Sequence, residues 1–482
     1  MTKSSLSFVR RDMLAPQSAP VTERGAVKWL RENLFSSIGN SVLTILGLLV
    51  LFWIVQASLP WLLNGVWQAN SLGECRTIIA ATAGEGASGA CWAMIAQRWN
   101  QFMFGFYPKT DYWRPILSFA LMFVALTPVL YYGLRRAAML MVGTVGVLAV
   151  LSLALVQTDG WHDALVAAVM LGLFAVAAIM PKKLVWVTLV FPAVGFFLLW
   201  GGSVWGPVGT LFGFGIWVAI WLVLQSRLGV VVPAAIGLVA ASLWWLVLQT
   251  SVTTALHGIA PLGLTAIDSD QFGGFLLAFV IGVTAISASL PIGILLALGR
   301  QSDMLLIKTL SVGFIEFVRG VPLITMLFTA SLLLQYFLPP RTNFDLILRV
   351  IILVSLFASA YIAEVIRGGL AALPRGQYEA ADALGLDYWQ AQRLIIMPQA
   401  LKISIPGIVS SFIGLFKDTT LVALVGLADP LQGITKIVRA DIAWKGIYWE
   451  PFIFVGAIFF LFCFGMSRYS MYLERKLKTD HR

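Results

Sequence analysis

The chain has 482 residues, of which 59% are hydrophobic and only 12% charged, and it carries a net charge of +10. Soluble domains hold about twice that share of charge, so a soluble enzyme, a disordered chain and a disulfide-stapled secreted module are all excluded. What remains is a polytopic membrane protein, in which cations report topology before they report partners.

The first 40 residues are polar and basic. They lack an apolar stretch ahead of a small-residue cleavage site, so they read as a cytoplasmic segment rather than a secretory signal peptide. A helix that crosses the hydrocarbon core needs about 20 mostly apolar residues. Seven such runs follow in an amino-terminal extension over 41–250: 41–63, 116–133, 138–157, 164–180, 184–200, 207–225 and 229–249. Five more, 272–298, 312–338, 346–366, 403–425 and 451–466, belong to a second block over 268–477. The predicted fold is all-α with about twelve spans. With the amino terminus inside, 22 of the 33 Lys and Arg residues fall in cytoplasmic segments. This asymmetry places both termini in the cytoplasm.

The first external loop, 64–114, is rich in Gly and Trp and contains Cys75 and Cys91. An oxidising compartment such as a bacterial periplasm permits a bridge between them; two free thiols are the alternative. Cys463 reads as packing. The three histidines, His162, His257 and His481, are scattered and predict no metal cluster. The sequence also lacks G-x-x-x-x-G-K-[ST], so the chain by itself is not expected to cradle ATP phosphates.

The extension spans are aliphatic and aromatic, the composition of membrane filler or partner-facing packing. Membrane-embedded charge and one long cytoplasmic loop, 367–402, are confined to the second block. The stretch 377–384 is built from helix formers and stops at Gly385, a residue suited to a left-handed cap. Asp387 and Gln390 have capping-box spacing, and the helix they open is expected to end at Pro398. Loops of this length are uncommon unless they have a task.

Glu379-Ala380-Ala381, Gly385, Ile395, Met397 and Pro398 stand at the spacing of a known loop. This run resembles the EAA loop of ATP-binding-cassette importer permeases, with Met397 in place of the commoner leucine. Three further stretches resemble the polar amino acid permease subfamily. They are Glu316 to Pro322 (EFVRGVP), Ala363 to Gly369 (AEVIRGG) and Lys417 to Leu421 (KDTTL). The long extension is similar to that of the larger permeases of general L-amino acid and glutamate/glutamine/aspartate/asparagine importers.

The resemblance implies a five-helix permease core and a division of labour. Two ATPase subunits, which hold ATP and magnesium, would dock on EAA loops of this chain and of a second, homologous permease. A periplasmic binding protein would deliver the amino acid, in the bacterial inner membrane. The helix from Tyr378 through Glu379, Ala380 and Ala381 would be the coupling helix, with Gly385 giving the turn. Glu379 would pair with a basic residue of the ATPase or cap a neighbouring helix.

Charge inside a membrane is costly and marks function by default. Lys417 and Asp418, about ten residues into their span, offer a zwitterionic substrate both ionic partners, with Thr419 and Thr420 as hydroxyl donors; an interhelical ion pair is the alternative. Glu316 and Arg319 share one helix surface at i and i+3, and Gly320 and Pro322 then break the helix. They read as a cytoplasmic gate or as a fold-holding salt bridge. Arg349 is close enough to an interface to snorkel. The rival class, an ion-coupled secondary carrier, calls for midplane carboxylates on several helices, and only Asp418 is deeply embedded.

Overall fold

A computed structural model of the chain describes residues 25–156, 160–229, 231–333, 336 and 345–477. Most of the predicted cytoplasmic segment 1–40, the two chain ends and the last residues of the predicted span 312–338 lie outside the described residues. The chain divides into two compact units, Met1–Met94 and Ile95–Arg482.

The first unit holds α1 (Gly25–Asn33), α2 (Ile38–Leu63) and α3 (Leu72–Ala83). Ser37 starts α2 by accepting the N–H of Asn40, which satisfies one of the four donors that a helix start leaves open. At 1.5 Å per residue its 26 residues reach ~39 Å, enough to cross a bilayer. None of them is buried within the chain. Beyond it, a disulfide joins Cys75 to Cys91. Trp92 packs between Trp61 and Trp67, with ring centroids 5.8 and 5.7 Å away.

The second unit begins in α4 (Ala93–Phe104) and continues through the remaining extension helices. These are α5 (Trp113–Leu130), α6 (Arg135–Val156), α7 (Gly160–Ile179), α8 (Val185–Trp200), α9 (Trp205–Leu228), α10 (Val231–Leu243) and α11 (Gln249–Ile259). A π turn at Trp244–Leu248 joins the last two. Then come α12 (Gly274–Gln301), α13 (Leu305–Gly320), α14 (Leu323–Phe328), α15 (Leu346–Ala371), α16 (Gly376–Ala383), α17 (Tyr388–Ala391), α18 (Met397–Asp418), α19 (Pro430–Ala440) and α20 (Trp449–Leu477). Among the described residues, 11 helices are long and apolar enough to cross a membrane, or 12 if a bent pair counts as one span.

That bent pair corrects an expectation. The run predicted as one span from residue 312 is two helices, Leu305–Gly320 and Leu323–Leu333, that meet at 103°. Pro322 lacks an N–H and forces the residue before it out of the helical region. Val321 accordingly lies at φ −105, ψ 133.

The core runs between α12 and α15, which pack along their length. A Cβ on Gly293 would come within 2.6 Å of Ile362, so a glycine is what lets these helices approach. Arg349 also departs from expectation. It does not snorkel but is buried and donates to the carbonyl of Ser331 at 2.9 Å. That carbonyl lies in the π turn Thr329–Leu333. A buried guanidinium needs such acceptors.

Candidate coupling and translocation site

The long loop over 367–402 folds as two helices around a left-handed glycine. α16 ends at Ala383, and Gly385 takes φ +71. The N–H of Leu386 then reaches back to the carbonyl of Ala381 at 3.2 Å, a six-residue closure that ties off the helix end. Asp387 accepts the N–H of Gln390 at 2.8 Å, while the Gln390 side chain accepts the N–H of Asp387 at 3.2 Å. This reciprocal box starts α17.

Pro398 does not end the helix it was expected to end. Helical structure continues from α17 through a π turn at Gln392–Ile396 into α18, whose first turn holds Pro398. A proline costs little there, because first-turn N–H groups have no intrahelical acceptor.

One face of this hairpin is anchored. Ala381 is buried, and Tyr378 packs on a cluster formed by Ala297, Ile315, Ile362, Ile366, Leu370 and Ile396. The amide of Gln399 donates to the Gln377 side chain at 2.8 Å, which fastens α16 to the start of α18. The other face is open. Glu379, Ala380, Asp382, Leu384, Tyr388 and Trp389 are exposed, an acidic rim around apolar and aromatic side chains. Aromatic anchors with a polar rim are what a protein partner grips.

Beside the hairpin lies an ionic cluster that brings three helices together. Glu364 of α15 accepts from Arg367 at 2.8 Å and from Arg300 of α12 at 3.3 Å, and lies 3.8 Å from Arg319 of α13. Arg300 also donates to Glu316 at 2.9 Å. The expected i,i+3 neighbours Glu316 and Arg319 are therefore each engaged elsewhere, and Arg319 also lies over the ring of Tyr361. Gly320 and Pro322 form the corner that follows. Neither Glu364 nor Arg300 was singled out from sequence; the AEVIRGG stretch that contains Glu364 carried the signal.

Lys417 and Asp418 close the regular part of α18, and the chain then tightens into a 3-10 turn, Thr419–Val425. The rise over the 14 residues from Ile403 puts Lys417 ~21 Å along the helix, farther than the ten residues expected and past the middle of the predicted span 403–425. Lys417 is exposed and Asp418 half-buried, with no ion pair between them among the described residues. The hydroxyl of Thr419 donates to the carbonyl of Phe416 at 2.7 Å, and that of Thr420 to Lys417 at 2.8 Å. Both hydroxyl protons are thus spent locally, and the threonines offer a ligand acceptor lone pairs rather than donors. A helix C-terminus with a carboxylate favours a cation, and the neighbouring ammonium favours an anion. The described residues hold no group of three or more His, Cys, Asp or Glu suited to a metal.

A family model described as "Binding-protein-dependent transport system inner membrane component" matches residues 289–479. Along its whole length the chain is similar to the glutamate/glutamine/aspartate/asparagine transport system permease protein BztC of Rhodobacter capsulatus. Identity is 64% over 479 residues, covering 99% of this chain and 100% of that one. It is 35% identical, over 99% of both chains, to the inner membrane amino-acid ABC transporter permease protein YhdY of Escherichia coli K12. A solved chain of an amino acid ABC transporter with histidines covers 47% of this chain and 97% of its own, at 28% identity and a TM-score of 0.37.

Proposed function

The chain belongs to the permease subunits of amino-acid ABC importers, and from that premise we propose how its charged residues and its hairpin serve transport. It is a multi-pass membrane subunit with ATP hydrolysis on a separate subunit, in a family that works with ATPases and binding proteins. The substrates proposed are the amino acids named for the 64% identical relative: glutamate, glutamine, aspartate and asparagine. The assembly proposed is two ATPases holding ATP and magnesium, this chain, a second permease and a periplasmic binding protein. Its site is the bacterial inner membrane, with both termini cytoplasmic, an orientation supported by the 22 of 33 cations on that side.

The observation that carries the coupling role is the two-sided hairpin. Its buried face joins Tyr378 to the same cluster as Ile315 and Ile362, so a push on its exposed face reaches α13 and α15 through packed side chains. Glu379 on the open face is the ionic contact for an ATPase. The pair Glu316 and Arg319, with the corner Gly320–Pro322, serves as a cytoplasmic-side hinge whose closed form is held by Arg300 and Glu364.

For passage, Asp418 and the adjacent helix end receive the substrate ammonium, and Lys417 receives its carboxylate. The test is Asp418→Asn in proteoliposomes supplied with the binding protein. Uptake should fall at least about tenfold, the scale of one lost charged hydrogen bond, while affinity of the isolated binding protein is unchanged. Normal uptake would demote Asp418 to packing.

A further inference from the structure

A cavity of about 440 Å³ lies between α5 and α8 on one side and α12 and α15 on the other. It separates the extension from the permease core along part of their seam. Phe119, Phe196, Trp200, Val283 and Leu348 line it, and Asp345 stands among them as the one ionisable side chain. The lining of α12 and α15 lies in the half of each helix remote from Arg300, and that of α5 and α8 runs from the middle of each helix toward the end remote from Lys182 and Lys183. Trp200 is the last residue of α8, and Asp345 is the cap of α15.

A void this large forfeits dispersion contacts for all its lining atoms, and its apolar wall gives water too few hydrogen-bond partners to settle. At this depth in a bilayer the molecules at hand are lipid chains. A Trp at the end of a span sits where headgroups begin, so a chain entering beside Trp200 would leave its headgroup near Asp345. One Asp345 oxygen accepts the N–H of Leu348 at 3.0 Å. A carboxylate there opposes an anionic headgroup and favours one bearing an ammonium.

We propose that this crevice holds one acyl chain of an amine-bearing phospholipid such as phosphatidylethanolamine, with its ammonium at Asp345. In the orientation proposed above the lipid belongs to the outer leaflet; the binding itself does not depend on that orientation. A fluid chain at the seam lets α12 and α15 shift against α5 and α8 without opening a void.

The test is native mass spectrometry of the full chain, extracted in mild detergent from membranes containing phosphatidylethanolamine and phosphatidylglycerol. The wild-type chain should retain one phosphatidylethanolamine, preferred over phosphatidylglycerol by roughly fivefold, the upper range for one partly exposed charge pair. Thr284→Trp, which fills the crevice from an exposed lining position, should abolish retention. Asp345→Asn keeps a good helix cap and should keep the lipid but lose the headgroup preference. Several outcomes overturn the proposal: a wild-type chain without retained lipid, equal retention of both lipids, or a Thr284→Trp chain as loaded as the wild type. So does crosslinking of Val283→Cys to a protein subunit in place of lipid.

Discussion

Glu364 concentrates more ionic contact than any carboxylate the sequence drew attention to. Three arginines from three helices converge on it, and it is only about a fifth exposed, whereas Glu316 is half exposed. Removing a partly buried partner leaves charges uncompensated, while an exposed pair is worth little. Glu364→Gln should therefore lower stability by about 1–3 kcal/mol, and Glu316→Gln by less than about 1 kcal/mol. Thermal unfolding in detergent at low and high salt separates the two. A second titratable residue predicts a pH effect. Asp429 is buried, and burial pushes its carboxyl up to about 6 although it accepts backbone N–H groups from Leu431 and Gln432. With the folded pKa above the unfolded value of about 3.9, its contribution to stability is full below about pH 4. That contribution is lost as pH rises through about 6. The Asp429 contribution should thus be larger near pH 4.5 than near pH 7 by about 1–3 kcal/mol, read as the stability difference between the wild type and Asp429→Asn. Asp429→Asn, which can still cap α19, should show a flatter pH profile. The stretch holding Glu364 stood out, but its partners did not, since Arg300 and Glu364 are 64 positions apart, and burial of Asp429 depends on tertiary packing.

Among elements, those with local causes were the readable ones. The capping box at Asp387 needs two residues three apart, and the left-handed turn needs Gly385; both signals lie within one turn of chain. The continuation through Pro398 was not readable, because a π turn depends on what the following helix packs against. The 103° corner was half readable. Gly320 and Pro322 announce a break, but no sequence rule gives the angle. The hairpin yields a prediction at this scale. Gly385→Val places a β-branched residue at φ +71, costing about 1–2 kcal/mol or a displaced turn. Since space around it is open, the chain should still insert and fold, but α17 would be re-aimed. Uptake should fall at least about tenfold while ATP hydrolysis by the assembled transporter persists, as expected when a positioned contact is misplaced. Gly376→Ala, also in open space but without positive φ, should transport normally. Undiminished uptake by Gly385→Val would remove the hairpin from the coupling path.

At the scale of the second unit, the extension is joined to the core by more than proximity. The turn after α4 crosses the start of α12 with its backbone in direct contact. Gly105 pairs with Phe272, and Gly273 with Ala428. A Cβ on Gly105 would fall within 2.6 Å of the Gly273 nitrogen. Around this crossing, Arg98 pairs with Asp441, and Phe102 and Trp99 pack on Phe454 of α20. Composition could show that helices cross the membrane, but not that residues 98–106 lock onto residues 271–274 and 441–454, since glycine pairs carry no hydrophobic pattern. The contact leaves no room for a methyl group and involves backbone on both sides, which cannot swing away as a flexible side chain can. Gly105→Ala should therefore destabilise the chain by about 3 kcal/mol or more, at the upper end for single substitutions, because φ is +67 there as well. Gly47→Ala, in open space within α2, should be neutral or stabilising by up to about 1 kcal/mol. Thermal unfolding and limited proteolysis of the two variants would distinguish a welded seam from a loose one. If the seam is welded, Gly105→Ala should expose new cleavage sites between residues 95 and 110 while Gly47→Ala does not. Equal stability and equal digestion of the two would show that the extension rests against the core without being fastened to it.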